Sequence, residues 1–298
     1  MRPAVSWRAS AGLAVLMGAA VGLQAIHARS GGPPAPAGDA ILYVRSPDVV
    51  RRLVAPYDSV AADVYWIRAV LHYGSTRLSA ATDKRYELLY PLLDVTTSLD
   101  PRFDAAYLFG AVFLAEPPPG GPGRPDLAMG LLEKGLTAQP EKWQFAQAIG
   151  FVNYWWLQDY DAAAAWFTRA ARFPNAPEWL APLAATTLAE GGRRDSSRLL
   201  WREIAAAAEH DWFRREALRR LQQLDAMDQI DELQRIVDAW RIRTGAPPAS
   251  WEELHNQGLS GDTPADPAGT AYRLQSGIVG LDPESPLFPL PTQPMPPR

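Results

Sequence analysis

The chain repeats itself. Ala163, Phe167 and Ala170 are spaced to share one helix face, and they return 34 residues later as Ser197, Trp201 and Ile204. The same pattern stands 35 residues earlier as Ala128, Leu132 and Gly135. Stacked helical hairpins require such a small–large–small triplet at this period: small residues let neighbouring helices approach, and the large one fills the space between them. Arrays of this kind bury a continuous core only by stacking, and they commonly bind other proteins. The period therefore predicts a fold class and a broad class of function, but no particular partner.

Composition narrows the class further. A formal net charge of −4 leaves no basic footprint for nucleic acid. The chain has no cysteine, which excludes disulfides, thiolate zinc sites, Fe–S clusters and a thiol nucleophile. Prolines cluster at 33–36, 117–125 and 283–297, reading as a linker, an inserted loop and a disordered tail.

Residues 1–8 carry Arg2 and Arg8, no acidic residue precedes Asp39, and residues 9–28 are apolar over about the length that spans a bilayer. Ile26 and Ala28 are a poor cleavage site, so an uncleaved signal anchor is expected over a cleaved signal peptide that would release the protein. The charges place residues 1–8 in the cytoplasm and the bulk of the chain across a bacterial inner membrane, in the periplasm. Residues 29–39 have the composition of a flexible spacer.

The sharpest repeat, DYDAAAAWFTRAARFP (159–174), resembles the second helix of a tetratricopeptide repeat. Tyr160 opens it, Ala163, Phe167 and Ala170 carry the triplet, and Pro174 closes it. The preceding helix, from about Trp143 to Leu157, supplies Gly150 and Tyr154, with the glycine one place earlier than the family pattern. Upstream, 103–116 carries Gly110 and Phe113, and 126–140 carries Ala128, Leu132, Gly135 and Pro140; PPPGGPGRP extends the turn between them. Downstream, 177–190 and 193–208 form a third hairpin around Gly191 and Gly192. A divergent hairpin comes first, with Trp66 and Tyr73 on 64–75 and a second helix in 86–101 that Pro91 should break or kink. Residues 212–227 are expected to cap the stack. The expected fold is all-α: a right-handed solenoid of such hairpins over 40–227, with an N-terminal transmembrane helix and a small irregular α+β appendage.

The resemblance implies a concave groove lined by fixed positions on the first helix of each repeat. They fall on Asp104, Tyr107, Ala111 and Leu114, then Phe145, Ala148, Val152 and Trp155, then Trp179, Pro182, Thr186 and Ala189. The second set takes its register from Tyr160 and shifts by one if Gly150 sets it instead. The expected partner-binding residues are Tyr107, Ala111, Leu114, Phe145, Val152, Trp155, Trp179 and Thr186. Their apolar character points to a hydrophobic or amphipathic segment of a protein partner, or to the chain's own C-terminal part. The same rings also fit an ordinary inter-helix core, and that alternative stays open.

Residues 228–282 form a separate block. An amphipathic helix over 228–244 carries Ile230, Leu233, Ile236, Val237 and Trp240, Gly245 ends it, and Ser250 with Glu253 makes a capping box. A strand is expected around Gly277–Leu281. Asp266, Pro267, Gly269 and Tyr272 give the block a resemblance to the C-terminal half of major pseudopilins, which implies a partner from a secretion or type IV pilus system. Asp262 and Asp266 raise calcium, but Asp-Pro-x-Gly reads as a turn.

No catalytic constellation emerges. His27, His72, His210 and His255 are scattered, residues 120–126 lack the lysine of a phosphate loop, and Ser196 and Ser197 have no base at recognisable spacing. The expectation is a non-enzymatic interaction scaffold without cofactor, metal, nucleic-acid or small-molecule partner, held to the membrane through residues 9–28. Alternatives are a permanent structural subunit of a membrane complex and an accessory protein binding glycan or lipid.

Overall fold

Ten helices follow one another along the chain, each packed on the next: α1 (Pro47–Val54), α2 (Asp58–Leu78), α3 (Leu89–Leu99), α4 (Asp104–Ala115), α5 (Pro125–Ala138), α6 (Trp143–Val152), α7 (Tyr160–Ala171), α8 (Leu180–Glu190), α9 (Arg194–Ala207) and α10 (Asp211–Thr244). The structure, a computed structural model, describes residues 46–256 and 263–291. The expected membrane segment 9–28, the n-region before it, the spacer 29–39, Asp262 and residues 292–298 lie outside the described residues. Among the described residues, no helix is long and apolar enough to cross a membrane.

The helix ends follow local chemistry. Pro47 and Pro125 stand in first turns, where a missing N–H has no intrahelical partner to lose. Pro91 produces no kink, because α3 starts at Leu89 and the proline falls in its first turn. The Asp159 side chain accepts from the Ala162 N–H at 2.9 Å and caps α7.

The triplets that define the period are core. Ala128, Leu132 and Gly135 are buried on α5, Ala163, Phe167 and Ala170 on α7, and Ser197, Trp201 and Ile204 on α9. The Ser197 hydroxyl donates to the Ala185 carbonyl at 2.6 Å, so its polar atom is satisfied while its size keeps α8 and α9 close. A Cβ on Gly150 would lie 2.4 Å from the Phe167 ring, and one on Gly135 would lie 3.0 Å from the Tyr107 ring. The early position of Gly150 has a local cause. Asn153–Leu157 form a π turn that ends at Gln158 in the left-handed region, φ 53°. Its wider hydrogen-bond spacing takes up one extra residue between Gly150 and Tyr160.

The two helical stretches expected on either side of 227/228 are continuous. Residues 211–244 form one helix of 34 residues, ended by Gly245 at φ 81°. Its first part packs on α9 through Ala217, Leu224 and Met227; its second part carries the C-terminal block through Val237 and Trp240. That block holds α11 (Trp251–Asn256) and a hairpin of β1 (Arg273–Gln275) and β2 (Ile278–Gly280), with Leu274 opposite Val279. Only the second of these strands was expected. Ser276 and Gly277 both have positive φ, 53° and 78°, which suits a two-residue hairpin turn. Asp266 is the expected turn: one carboxylate oxygen accepts from the Ala268 and Thr270 N–H groups at 2.8 and 3.0 Å, and the other from the Ser285 hydroxyl.

The tail also departs from expectation. Ser285 and Leu287 are buried, and the fully buried Gln223 amide donates to the carbonyls of Leu287 and Pro289 at 2.7 and 2.8 Å. Residues 283–291 therefore belong to the fold. Prolines favour this arrangement, since each lacks an N–H that an extended segment would otherwise have to pair.

Candidate protein-binding surface

Five of the eight expected groove residues lie in the core. Tyr107 and Phe145 are fully buried with ring centroids 5.2 Å apart, and Ala111, Leu114 and Val152 are buried beside them. The Tyr107 hydroxyl donates to the Thr97 carbonyl at 3.3 Å, and burial pushes its pKa up to about 12. The physical reason is crowding. α4 is flanked by α3, α5 and α6, so only a narrow strip of it reaches water. That strip carries Phe109 (57% exposed) and Val112, neither of them an expected groove position. Asp104 is spent internally, accepting from Gln139 at 2.8 Å and pairing with Lys142. Ala189 is buried as well, while Ala148 and Pro182 are half-buried.

The other three expected residues do reach solvent. Trp155 is 64% exposed, Trp179 is 46% exposed, and Thr186 is half-buried. Trp155 is mounted firmly. It stands edge-on to Tyr154 at 4.9 Å, and Tyr154 stands edge-on to Tyr160 at 5.4 Å. The Tyr154 hydroxyl donates to Glu190 on α8 at 2.6 Å; burial, then that carboxylate, raises its pKa. The π turn is thus what shows Trp155 to solvent, with Leu157 exposed on the same turn. Trp179, just ahead of α8, meets Trp143 of α6 edge-on at 6.1 Å. Each hairpin from α4 to α9 therefore presents a large ring on or beside its first helix. Sequence reasoning missed Phe109; its signal was a phenylalanine one turn before Phe113 on a face the assumed register turned inward.

Charge is concentrated elsewhere. Arg194 pairs with Asp228 and Asp231 at 2.8 and 2.5 Å, and Arg198 pairs with Asp228 and Asp225 at 2.6 and 3.1 Å, joining α9 to α10. Burial opposes the charged form of Asp228, but the two guanidiniums outweigh it and hold its pKa below the ordinary value. A lowered folded pKa contributes stability that is present above the unfolded value near 4 and lost as pH falls through the folded one. The urea midpoint should fall as pH drops below about 4, and Arg194→Gln should reduce that acid sensitivity. An unchanged acid limb in the variant would mean that other carboxylates set it.

The described histidines remain apart: His72 is buried on α2, His210 precedes α10, and His255 is on α11. Among the described residues, no three His, Asp or Glu side chains are grouped to hold a metal ion. The fold is a stack of helical hairpins with a small two-stranded appendage, and large rings stand exposed on it. Compared with known proteins, the chain matches no family model, no curated protein and no solved structure.

Proposed function

We propose that the chain is a protein-interaction scaffold: a right-handed, tetratricopeptide-like solenoid that captures a hydrophobic or amphipathic segment of a partner on Trp155, Trp179 and Phe109. The observation that carries this reading is the exposed Trp155 ring on a mount fixed by Tyr154, Tyr160 and Glu190. Rigid, exposed tryptophans are the residues that most often dominate an interface. In this reading residues 9–28 anchor the chain in an inner membrane, the stack lies in the periplasm, and the pseudopilin-like block points to a secretion or type IV pilus system.

A photo-reactive residue placed at position 155 in the full chain should cross-link one protein in membranes. With that protein purified, Trp155→Ala should cost about 2 kcal/mol of binding. The same change should move unfolding stability by only about 0.5–1 kcal/mol, the order of its edge-on contact with Tyr154. Undiminished binding by Trp155→Ala together with Phe109→Ala would overturn the proposal.

A further inference from the structure

The exposed rings above account for the hairpins from α4 onward. They leave α2 unexplained, because this helix is apolar on two faces. Ala62, Tyr65, Ala69, His72 and Tyr73 turn inward and are buried. On the opposite side Tyr57, Val60, Val64, Ile67, Leu71 and Leu78 are all exposed, Leu71 at 64% and Leu78 at 87%. An apolar stripe on a helix is normally covered by a neighbour. α1 covers only part of this one, through Val50 and Val54 beside Ala61, Val64 and Tyr65.

The spacing identifies what covers the rest. From Tyr57 the exposed residues advance by three and four alternately, and Gly74 fills the single missing step. A period of 3.5 residues held over three heptads is the seam of a helix that pairs with another helix. A Cβ on Gly74 would meet no heavy atom within 4 Å, so a second helix can come close there.

We propose that α2 is a dimerisation helix, packing in parallel against α2 of a second copy of this chain. Charge supports the second copy and the direction. Asp63 flanks the seam on one side, and Arg68, five residues on, flanks it on the other. In a parallel pair each residue before the seam faces the residue five positions later on the other helix, so Asp63 meets the second copy's Arg68, and symmetry makes the contact twice. A parallel pair also brings both N-terminal segments out at the same end, as two anchors in one membrane need; this clause and the use of membranes in the test rest on the proposed anchor. The chain's own residues 9–28 are a poor cover, because they are apolar on every side and would leave most of that surface in water. Lipid is the poorer cover, since interfacial helices flank their apolar face with Lys and Arg, whereas the flanks here carry Asp63 as well as Arg68 and Arg77.

The absence of cysteine makes the test direct. Single variants Val64→Cys, Leu71→Cys and Leu78→Cys are made in the full chain, with Glu133→Cys on exposed α5 as control, and the membranes are oxidised. The expected result is a disulfide-linked dimer from all three stripe variants and none from the control. Adding Ile67→Lys to Leu71→Cys should lower the cross-linked fraction by about tenfold with the helical content of the chain unchanged. No dimer at any stripe position overturns the proposal, and a dimer at one position alone overturns it in favour of an antiparallel pair. An environment-sensitive dye on Leu71→Cys that is quenched by brominated phosphatidylcholine in nanodiscs overturns it in favour of lipid. A shielded dye on a particle of monomer mass, unquenched by that lipid, overturns it in favour of the chain's own N-terminal segment. None of these variants touches Trp155, so failure here leaves the scaffold reading standing or falling on its own test.

Discussion

Phe167→Ala is expected to lower the unfolding free energy by about 3–5 kcal/mol, read as a shift in the urea midpoint. The ring is fully buried and sits where three helices meet: against Gly150 and Phe151 of α6, on α7 itself, and beside Ala184 of α8. Phe151 meets it edge-on at 5.1 Å. Removing it leaves a cavity that rigid helix backbones cannot close, because the small residues on either side have already brought those helices close. Gly150→Ala attacks the same contact from the other side by overpacking and should cost about 1–3 kcal/mol. With Phe167→Ala already present, Gly150→Ala should cost much less, since the atom it strikes is gone. A loss below about 1 kcal/mol for Phe167→Ala, or strict additivity of the two changes, would contradict the packing of α6 on α7.

Ending the chain after Asp282 should destabilise it by about 2–4 kcal/mol. The removed residues include the buried Leu287 and the half-buried Leu290, which packs against both the α9–α10 cluster and the C-terminal cluster. They also include the carbonyls that accept from Gln223, the Pro286 carbonyl that accepts from Arg219 at 2.9 Å, and the Ser285 hydroxyl bound to Asp266. Water can replace the hydrogen bonds once the segment is gone, so the loss of buried apolar surface dominates. Leu287→Ala alone should account for at least about 2 kcal/mol. A truncated chain that unfolds at the same urea midpoint would show the segment to be dispensable.

What could be read from the amino-acid order, and what could not, follows from the range of the interactions. The triplets were legible because Ala163, Phe167 and Ala170 lie within three turns of one helix, and a repeat at fixed period reports that each turn meets an equivalent neighbour. The outward face of α4 was not, because it depends on how α3, α5 and α6 share that helix among them. One residue turns a helix by about 100°, so Tyr107 and Phe109, two apart, stand on nearly opposite faces. The assumed register turned the first outward, and the packing of α4 turns out the second. The π turn was half legible: the misplaced Gly150 announced one extra residue but did not say where it would be absorbed. The length of α10 was fully legible and misjudged, since residues 211–244 contain neither glycine nor proline. The segment 283–291 could not be read, because its order depends on Gln223, some sixty residues distant in sequence.

The unbroken course of α10 has a mechanical meaning. At about 1.5 Å per residue its length is roughly 50 Å, and its two ends belong to different clusters of buried side chains. A flexible connection would let the C-terminal block wander relative to the hairpins and would absorb a pull by straightening. A continuous ladder of backbone hydrogen bonds does neither. It works as a tie rod: a load taken up around Leu254 and Val279 is delivered, without slack, to Trp201 and the last hairpin.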